Sequence, residues 1–520
     1  MRKVRTVSRI QETAPAAAEK EKSSPRHRER NPVLEAAVSS LESHHLSSFH
    51  FFTDALEIAS FGRNLLSWYE EHKRDLPWRK QASAESNLNR RAYAVWVSEV
   101  MLQQTQVATV INYYNRWMKK WPTLEALAEA SLEEVNQMWA GLGYYARGKR
   151  LHQAAQQVVS RLDGEMPRTA AELQKLLPGV GRYTAGAIAS IAYGQATGVV
   201  DGNVIRVLCR VRSIGADSDS PAVRSALWTL ADALVDPARP GDFNQALMEL
   251  GALLCTPKAP LCAECPVRSH CRTYRLLQVQ KEGDSAFQRL RGKAALESES
   301  LSDIEECVTA AGTCPLCLPS TALWDSSLGV KNFPRKSVKQ QPREVQTLTC
   351  VLERWGVRGE PEYLLTQRPS SGLLAGMWEF PSLLSEAQLS AEEQEQALAE
   401  HLAAVTGQTG AVRGLRYIGE VVHMFSHLRQ TSQVYSLSLS NAGSTAAMQH
   451  EARWVSRAEL QQAAVSSAVK KIFKMYESRN CGKQEKMKTG KRKRSPGTGS
   501  IKPELDRQLS LLRFFKPATK

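Results

Sequence analysis

Nowhere in the 520 residues does an apolar run approach the ~20 positions that a bilayer-crossing helix needs, so no segment is expected to span a membrane. A secretory signal is lacking too. The start, MRKVRTVSRIQ, is basic and free of acids until Glu12, the character of an organelle-targeting peptide, but it is short and turns Pro/Glu-rich soon after. The body of the chain also lacks net positive charge. Of the overall +15, residues 1–30 contribute +5 (nine Lys/Arg, four Asp/Glu) and residues 470–520 contribute +12 (sixteen against four), leaving about −2 for the rest. A polyanionic partner gripped by the body must therefore be held by local patches and backbone amides, not bulk charge. The ten cysteines cluster at short spacings and, with no secretory signal, argue for metal sites in a reducing compartment and against a disulfide framework.

What is present is enough apolar content, 42%, for two cores, which a chain of this length requires. Residues 1–45 are polar and rich in Pro, Ser, Glu and Lys, as disordered segments are. From 46 to 271 the pattern is helical: apolar residues recur at three- and four-residue spacing, as in LEEVNQMWAGL and AELQKLL, and alternating β-branched runs are scarce. Residues 272–345 read as a connector with three cysteines. Over 346–475 the pattern switches, with TLTCVLERW, YLLTQRP, RYIGEVVHMF and SQVYSLSLS as strands and EEQEQALAEHLAAVTG as a helix, an α/β domain. Residues 476–520 read as a basic, disordered tail.

Three stretches carry chemistry. In VSEVMLQQTQV, Glu99 sits among Trp96, Val97, Val100, Met101 and Leu102; burial there disfavours the charged form and would make it a general acid near neutral pH. Gln103 and Gln104 follow, amides that can meet the edge of a base. In LLPGVGRYTAG, the glycines of Gly179-Val180-Gly181 permit a tight turn with φ > 0 and let helix-start amides approach a phosphate, a helix-hairpin-helix. In VVDGNV, Asp201 is placed to cap a helix, and an ionised carboxylate there could also face a developing cation. Finally Cys255, Cys262, Cys265 and Cys271, spaced C-x6-C-x2-C-x5-C, suit a four-iron cluster or zinc, with the long arms favouring iron-sulfur.

Those residues, with LPWR (Leu76 to Arg79), SEVMLQQTQV, GLGYYARGKRL, GVGRYTAGAIAS, VVDGNV and FNQALMELGA, resemble the MutY-type adenine DNA glycosylases within the endonuclease III superfamily. The resemblance is dense over about 50–271 and looser over about 345–475. It implies a multidomain protein: an all-α helix-hairpin-helix glycosylase module with an iron-sulfur loop, followed by an α/β Nudix-like domain. The implied activity is hydrolytic excision, in base excision repair, of adenine mispaired with 8-oxoguanine, and also of adenine opposite guanine, from double-stranded DNA. By motif, Glu99 would protonate the extruded adenine at N7, Asp201 would stabilise the oxocarbenium-like sugar or bond to it transiently, and Tyr183 would support that intermediate. Arg79 and Gln245 would hold the adenine, and Gln104 and Tyr144 would wedge into the stack. Bifunctional relatives carry a lysine where this chain has Tyr183, and a phenol cannot form their Schiff base, so a monofunctional enzyme is expected. A bifunctional lyase and a non-catalytic damage-binding adaptor are the alternatives.

The second half resembles the MutT family through Gly372 to Pro381. Aligned on Gly407, however, Ala404 and Val405 stand where an active Nudix hydrolase has paired acids for magnesium, so lesion reading without hydrolysis is implied. The resemblance places that reading on Phe425, Ser426 and His427. Cys307, Cys314 and Cys317 are one ligand short of a tetrahedral zinc site; His50 is favoured as the fourth, with Cys209 next. Leu301 to Glu306 resembles the family's docking segment for the checkpoint clamp. In the tail, Lys491 to Arg494 reads as a nuclear import patch, so the nucleus is the first expected address and the mitochondrion the second. Gln508, Leu511, Phe514 and Phe515 resemble the peptide that binds the replication sliding clamp, PCNA. The chain is expected to act as a monomer.

Overall fold

In the computed structural model, residues 48–279, 307, 314–319, 325–336, 341–356, 359–385, 390–407, 414–425, 428–439 and 452–488 are described. Two compact units emerge: Met1–Ser131 with Arg147–Gln340, and Leu132–Ala146 with Gln341–Lys520. The first is helical, as its periodicity predicts: α1 (Ala55–His72), α2 (Pro77–Ala84), α3 (Leu88–Leu102), α4 (Val107–Lys120), α5 (Leu124–Glu129), then, past α6 (Leu132–Trp139) in the other unit, α7 (Ala146–Arg161), α8 (Ala170–Leu176), α9 (Arg182–Tyr193), α10 (Gly202–Val211), α11 (Pro221–Leu234) and α12 (Pro240–Leu253). Local chemistry sets their starts. Asp54, Asn87 and Asp201 accept from first-turn amides, Thr169 and Glu172 form a capping box, and Pro77, Pro221 and Pro240 occupy first-turn positions that need no N–H.

Two central helices have no polar face. Ala92 through Met101 of α3 and Thr184 through Ser190 of α9 are buried continuously, which marks helices surrounded by protein on all sides. Helix α12 meets α10 at Gly251, where an added Cβ would lie 2.6 Å from Asn203 Cβ; the missing side chain lets the start of α10, and with it Asp201, sit against α12. Part of the connector belongs to this unit: Leu316 and Phe333 join the core with Phe61, Leu208, Leu227 and Phe243, and the Leu316 carbonyl accepts from the amides of Gly215 and Ala216.

The second unit is built on a seven-stranded sheet: β1 (Arg343–Trp355), β2 (Pro361–Gln367), β3 (Trp378–Glu379), β4 (Ser382–Ser385), β5 (Arg416–Met424), β6 (Leu428–Leu439) and β7 (Ala452–Ser456). The order is β3-β2-β1-β6-β5, with β4 on β1 and β7 on β2; β1 and β6 are parallel, and the other pairs antiparallel. Thr347 to Leu352 of β1 are buried without alternation because both faces are covered. Leu348, Cys350 and Leu352 pack with Leu398, Leu402 and Val405 of α13 (Ala391–Thr406); Val351, Tyr363 and Val434 pack with Val469, Ile472 and Phe473. After α14 (Arg457–Gln462), those last residues lie on α15 (Ser467–Lys488), which carries Tyr476, 3% exposed, into the core. The helix runs on past 475, the boundary expected from the sequence. The expected disordered start (1–45), Leu301 to Glu306, Ser426, His427, Lys491 to Arg494, and Gln508, Leu511, Phe514 and Phe515 lie outside the described residues.

Candidate active site and metal centres

The general-acid candidate is as buried as its neighbours predict. Glu99 is 5% exposed on α3, and burial pushes its carboxyl up to about 7; the hydrogen bond from Tyr183 works against that rise, and the nearby Asp201 adds to it. Tyr183 Oη donates to Glu99 Oε2 at 2.6 Å and lies 3.3 Å from Met248 Sδ. Burial, with Glu99 and Asp201 nearby, holds this phenol well above its ordinary value, so it stays a donor. Asp201 caps α10, accepting from the amides of Asn203 (2.9 Å) and Val204 (2.7 Å) and from Asn203 Nδ2 (2.8 Å). Capping does not by itself hold this carboxyl low: burial outweighs its donors and the nearby Arg206, and pushes it above the usual range.

Glu99 opens into a cavity of about 600 Å³ lined by Tyr69, Trp78, Arg79, Ser98, Ile191 and Gln245 among others, room for a purine and surrounding water. Arg79 Nε donates to Gln245 Oε1 at 3.0 Å, so the two residues expected to hold a base are already paired. Their anchor was not read from the sequence. Glu249, 1% exposed, takes Arg79 Nη2 at 2.9 Å and a bidentate pair from Arg74 at 2.7 and 2.9 Å. Burial pulls the Glu249 carboxyl up, but these two guanidiniums overcome it and hold it down at about 2. The available signal was an acid four residues after Gln245, alone in the apolar stretch Ala246 to Leu253, which places both on one face.

Around Gln104 the backbone is strained. Its φ is 55°, in the left-handed region that non-glycine residues avoid. Arg147, also not singled out from sequence, holds that turn: Nη1 donates to the carbonyls of Val100 (2.8 Å), Met101 (3.0 Å) and Gln103 (2.5 Å), and Nη2 to Thr105 Oγ1 (3.1 Å). A guanidinium thus satisfies the orphan carbonyls at the end of α3. Tyr144, in the second unit, is likewise left-handed at φ 48° and 44% exposed, so both expected wedge residues sit on strained backbone.

In the hairpin between α8 and α9, only one glycine needs the left-handed region. Gly179 has φ 84°, and a Cβ there would meet Arg150 Cβ at 2.9 Å; Val180 is buried. Gly181 is extended at φ −90° and serves as N-cap of α9 with no capping side chain and open space before it, so first-turn amides of α9 face outward for an oxyanion.

Cys255, Cys262, Cys265 and Cys271 line one cavity with Val207, Leu250, Leu254 and Val267. Arg210 Nη1 donates to Cys255 Sγ at 3.4 Å. Four thiols around apolar walls, with a guanidinium to offset charge, fit a four-thiolate cluster. Separately, one ligand atom each from His50, Cys307, Cys314 and Cys317 lie within 4.8 Å of one another. His50 Nδ1 donates to the Arg212 carbonyl at 3.0 Å, which leaves Nε2, 3.2 Å from Cys317 Sγ, as the free lone pair. Cys209 is not in this group; it is fully buried on α10 in the apolar core.

In the sheet, Phe425 follows β5, its amide donating to the Leu428 carbonyl at 2.7 Å and its ring edge-on to His423 at 4.6 Å. Val405 is buried under the sheet and Ala404 is exposed, so neither position of α13 offers a metal ligand.

A hairpin that presents helix-start amides, a buried acid beside a base-sized cavity and a carboxylate capping the next helix together define a base-excision glycosylase of the helix-hairpin-helix class. Residues 97–232 match the family described as HhH-GPD superfamily base excision DNA repair protein, and residues 355–475 match the NUDIX domain. The adenine DNA glycosylase of Homo sapiens is 57% identical over 86% of this chain and 78% of its own; that of Mus musculus is 54% identical over 94% and 89%. Among solved structures, the complex between the C-terminal domain of mouse MUTYH and human PCNA is 45% identical over 27% of this chain and 91% of that one, with a TM-score of 0.24. The chain belongs to the adenine DNA glycosylase family, enzymes that cleave the N-glycosyl bond of adenine in DNA without a lyase step.

Proposed function

We propose that this glycosylase acts on adenine paired with 8-oxoguanine, and that Glu99 and Asp201 divide the chemistry. The hydrogen-bonded, buried pair of Glu99 and Tyr183 beside the Arg79–Gln245 cavity carries the reading. The adenine leaves the stack and enters the cavity, where Arg79 and Gln245 meet its edge. Glu99, protonated near neutral pH, donates to N7; the C1′–N9 bond breaks with its electron pair moving to N9, and water adds to C1′ with loss of a proton. Asp201 faces the cationic sugar, whose charge favours the ionised carboxylate. Tyr183 supports Glu99 by hydrogen bond, lies near Asp201, and cannot act as an amine nucleophile. The amides following Gly179, Val180 and Gly181 hold a phosphate, and Gln104 and Tyr144 fill the vacated stack.

Lesion choice belongs to the sheet domain in this reading. Its helix lacks the paired acids of a hydrolase, and the sequence after β5, Phe425, Ser426 and His427, supplies an aromatic ring and a hydroxyl able to accept the N7 hydrogen or donate to O8 that distinguish 8-oxoguanine from guanine. Cys255, Cys262, Cys265 and Cys271 would hold a 4Fe-4S cluster, which supplies a fixed scaffold for its loop. Cys307, Cys314, Cys317 and His50 would hold zinc, whose preferred ligand number they match. Leu301 to Glu306 would dock a checkpoint clamp, the Gln508, Leu511, Phe514 and Phe515 motif would bind PCNA, and the protein would work as a monomer in the nucleus and also in the mitochondrion.

Adenine release from duplexes with A:8-oxoguanine and A:G at matched salt tests the proposal. The first should be cut faster. Phe425→Ala with Ser426→Ala should lower the ratio of the two rates while leaving A:G excision nearly unchanged. A ratio that survives the double substitution would remove the sheet domain from lesion reading.

A further inference from the structure

Within the second unit, Glu133 in the first turn of α6 is held from two strands at once. Trp378 Nε1, on β3, donates to Glu133 Oε1 at 3.2 Å, and Arg453 Nη2, on β7, reaches the same oxygen at 2.9 Å. The Arg453 guanidinium lies over the Trp378 ring, 3.9 Å from its centroid, so the three side chains form one closed cluster. The strands that carry them both pair with β2, Gln367 with Trp378 and Leu365 with Arg453, which makes their spacing rigid. One turn along α6, Asn136 is 2% exposed, and a Cβ on Gly376 would lie 3.7 Å from its Nδ2 and 3.6 Å from Leu132 Cδ2. The start of α6 is thus seated on the Gly372 to Pro381 segment.

The other end of α6 is tied to the loop that bears Tyr144. Trp139 Nε1 donates to the Gly143 carbonyl at 3.0 Å, and the Gly141 amide donates to Tyr145 Oη at 3.1 Å. Gly141, Gly143 and Tyr144 have φ of 97°, 79° and 48°, so the loop has few alternative paths once both ends are fixed. A short helix fixed at both ends transmits its position as a rigid rod.

We infer that Glu133, clamped by Trp378 and Arg453, is a positioning residue that sets the Tyr144 loop in register with the sheet that ends in Phe425. The inference rests on the reading of Phe425 as lesion-sensing and Tyr144 as a wedge. Its consequence is that recognition of the opposite base and insertion of the wedge are geometrically coupled. A half-exposed ion pair adds little to stability, so the cluster is better suited to registration than to holding the fold together.

Full-length protein carrying Glu133→Gln, Arg453→Met, both together, or Trp378→Phe tests this. The readouts are single-turnover excision on A:8-oxoguanine and A:G duplexes, and the fluorescence of 2-aminopurine placed at the adenine position, which reports extrusion. Glu133→Gln and Arg453→Met should each slow extrusion and excision opposite 8-oxoguanine about three- to tenfold, with excision opposite guanine changed less than about twofold. The double variant should be no slower than the slower single, and Trp378→Phe, which removes the N–H donor and part of the indole but leaves an aromatic face for Arg453, should show a loss of the same kind. Equal losses on both duplexes, additive losses in the double variant, or losses that track a lowered melting temperature would each overturn the inference. If Phe425→Ala with Ser426→Ala lowers the rate ratio and Glu133→Gln does not, this inference alone fails; if neither lowers it, the lesion-reading role fails with it.

Discussion

Tyr183 Oη and Glu99 Oε2 are 2.6 Å apart although 84 positions separate the residues in sequence, and this bond opposes the burial that makes the acid hold its proton. Because the phenol lowers a carboxyl pKa that burial raises, Tyr183→Phe should move the Glu99 pKa further above about 7. The alkaline limb of the single-turnover rate against pH should shift upward by about one unit, roughly one hydrogen bond to a charged group, while the plateau falls. An unshifted limb with a lowered plateau would assign the phenol to the sugar alone.

Glu99 also makes the free protein pH-sensitive. Its folded-state pKa lies near 7 against an ordinary 4.5, so its stabilising contribution is complete below about 4.5 and lost as pH rises through 7. The loss is on the order of 3 kcal/mol. Glu99→Gln should abolish base release, since the amide has no proton to give N7, and should flatten urea midpoints between pH 4.5 and 8. Parallel midpoint curves for the two proteins would contradict the assignment.

Glu249 behaves in the opposite sense. Its carboxyl is held at about 2, so the stability it contributes is present above 4.5 and lost as pH falls toward 2. Glu249→Ala should cost about 2–4 kcal/mol by leaving Arg79 and Arg74 without their buried partner. It should also weaken base capture, because Arg79 loses the anchor that aims it at the cavity. Urea titration and single-turnover excision at rising enzyme concentration separate the two effects.

Cys314→Ser with Cys317→Ser should remove zinc and leave iron, since the two ligand groups occupy different places in the helical unit. Elemental analysis of the purified variant gives the answer directly; iron lost in step with zinc would mean that one site depends on the other.

In the tail, Phe514→Ala with Phe515→Ala should abolish PCNA capture without altering excision on a short duplex, as two anchoring aromatics carry most of a small peptide interface. Undiminished capture would refute the motif.

Much of this was legible in the chain itself. Glu99 among Trp96, Val100 and Met101 announces a buried acid, Pro178-Gly179-Val180-Gly181 a tight turn into a helix, Asp201 a cap, and the cysteine spacings two groups of thiols; each depends on neighbours within a few residues, where sequence fixes geometry. Four strands of the Nudix-like sheet, β1, β2, β5 and β6, were also readable, because they are long runs rich in β-branched and apolar residues; β3, β4 and β7, of two, four and five residues, were too short to show a pattern. Tertiary structure alone decided the rest. Glu249 anchors Arg79 from 170 positions away, and His50, which spacing could not decide as a ligand, meets Cys317 267 positions downstream. Arg147 caps a helix that ended 45 residues before it, and Glu133 meets Arg453 across three hundred. Burial that outweighs donors at Asp201 is likewise a property of what packs around it, not of its own neighbours. Spacing along a chain specifies contacts only within a turn or a hairpin; which distant charge compensates a buried group is settled when the helices pack.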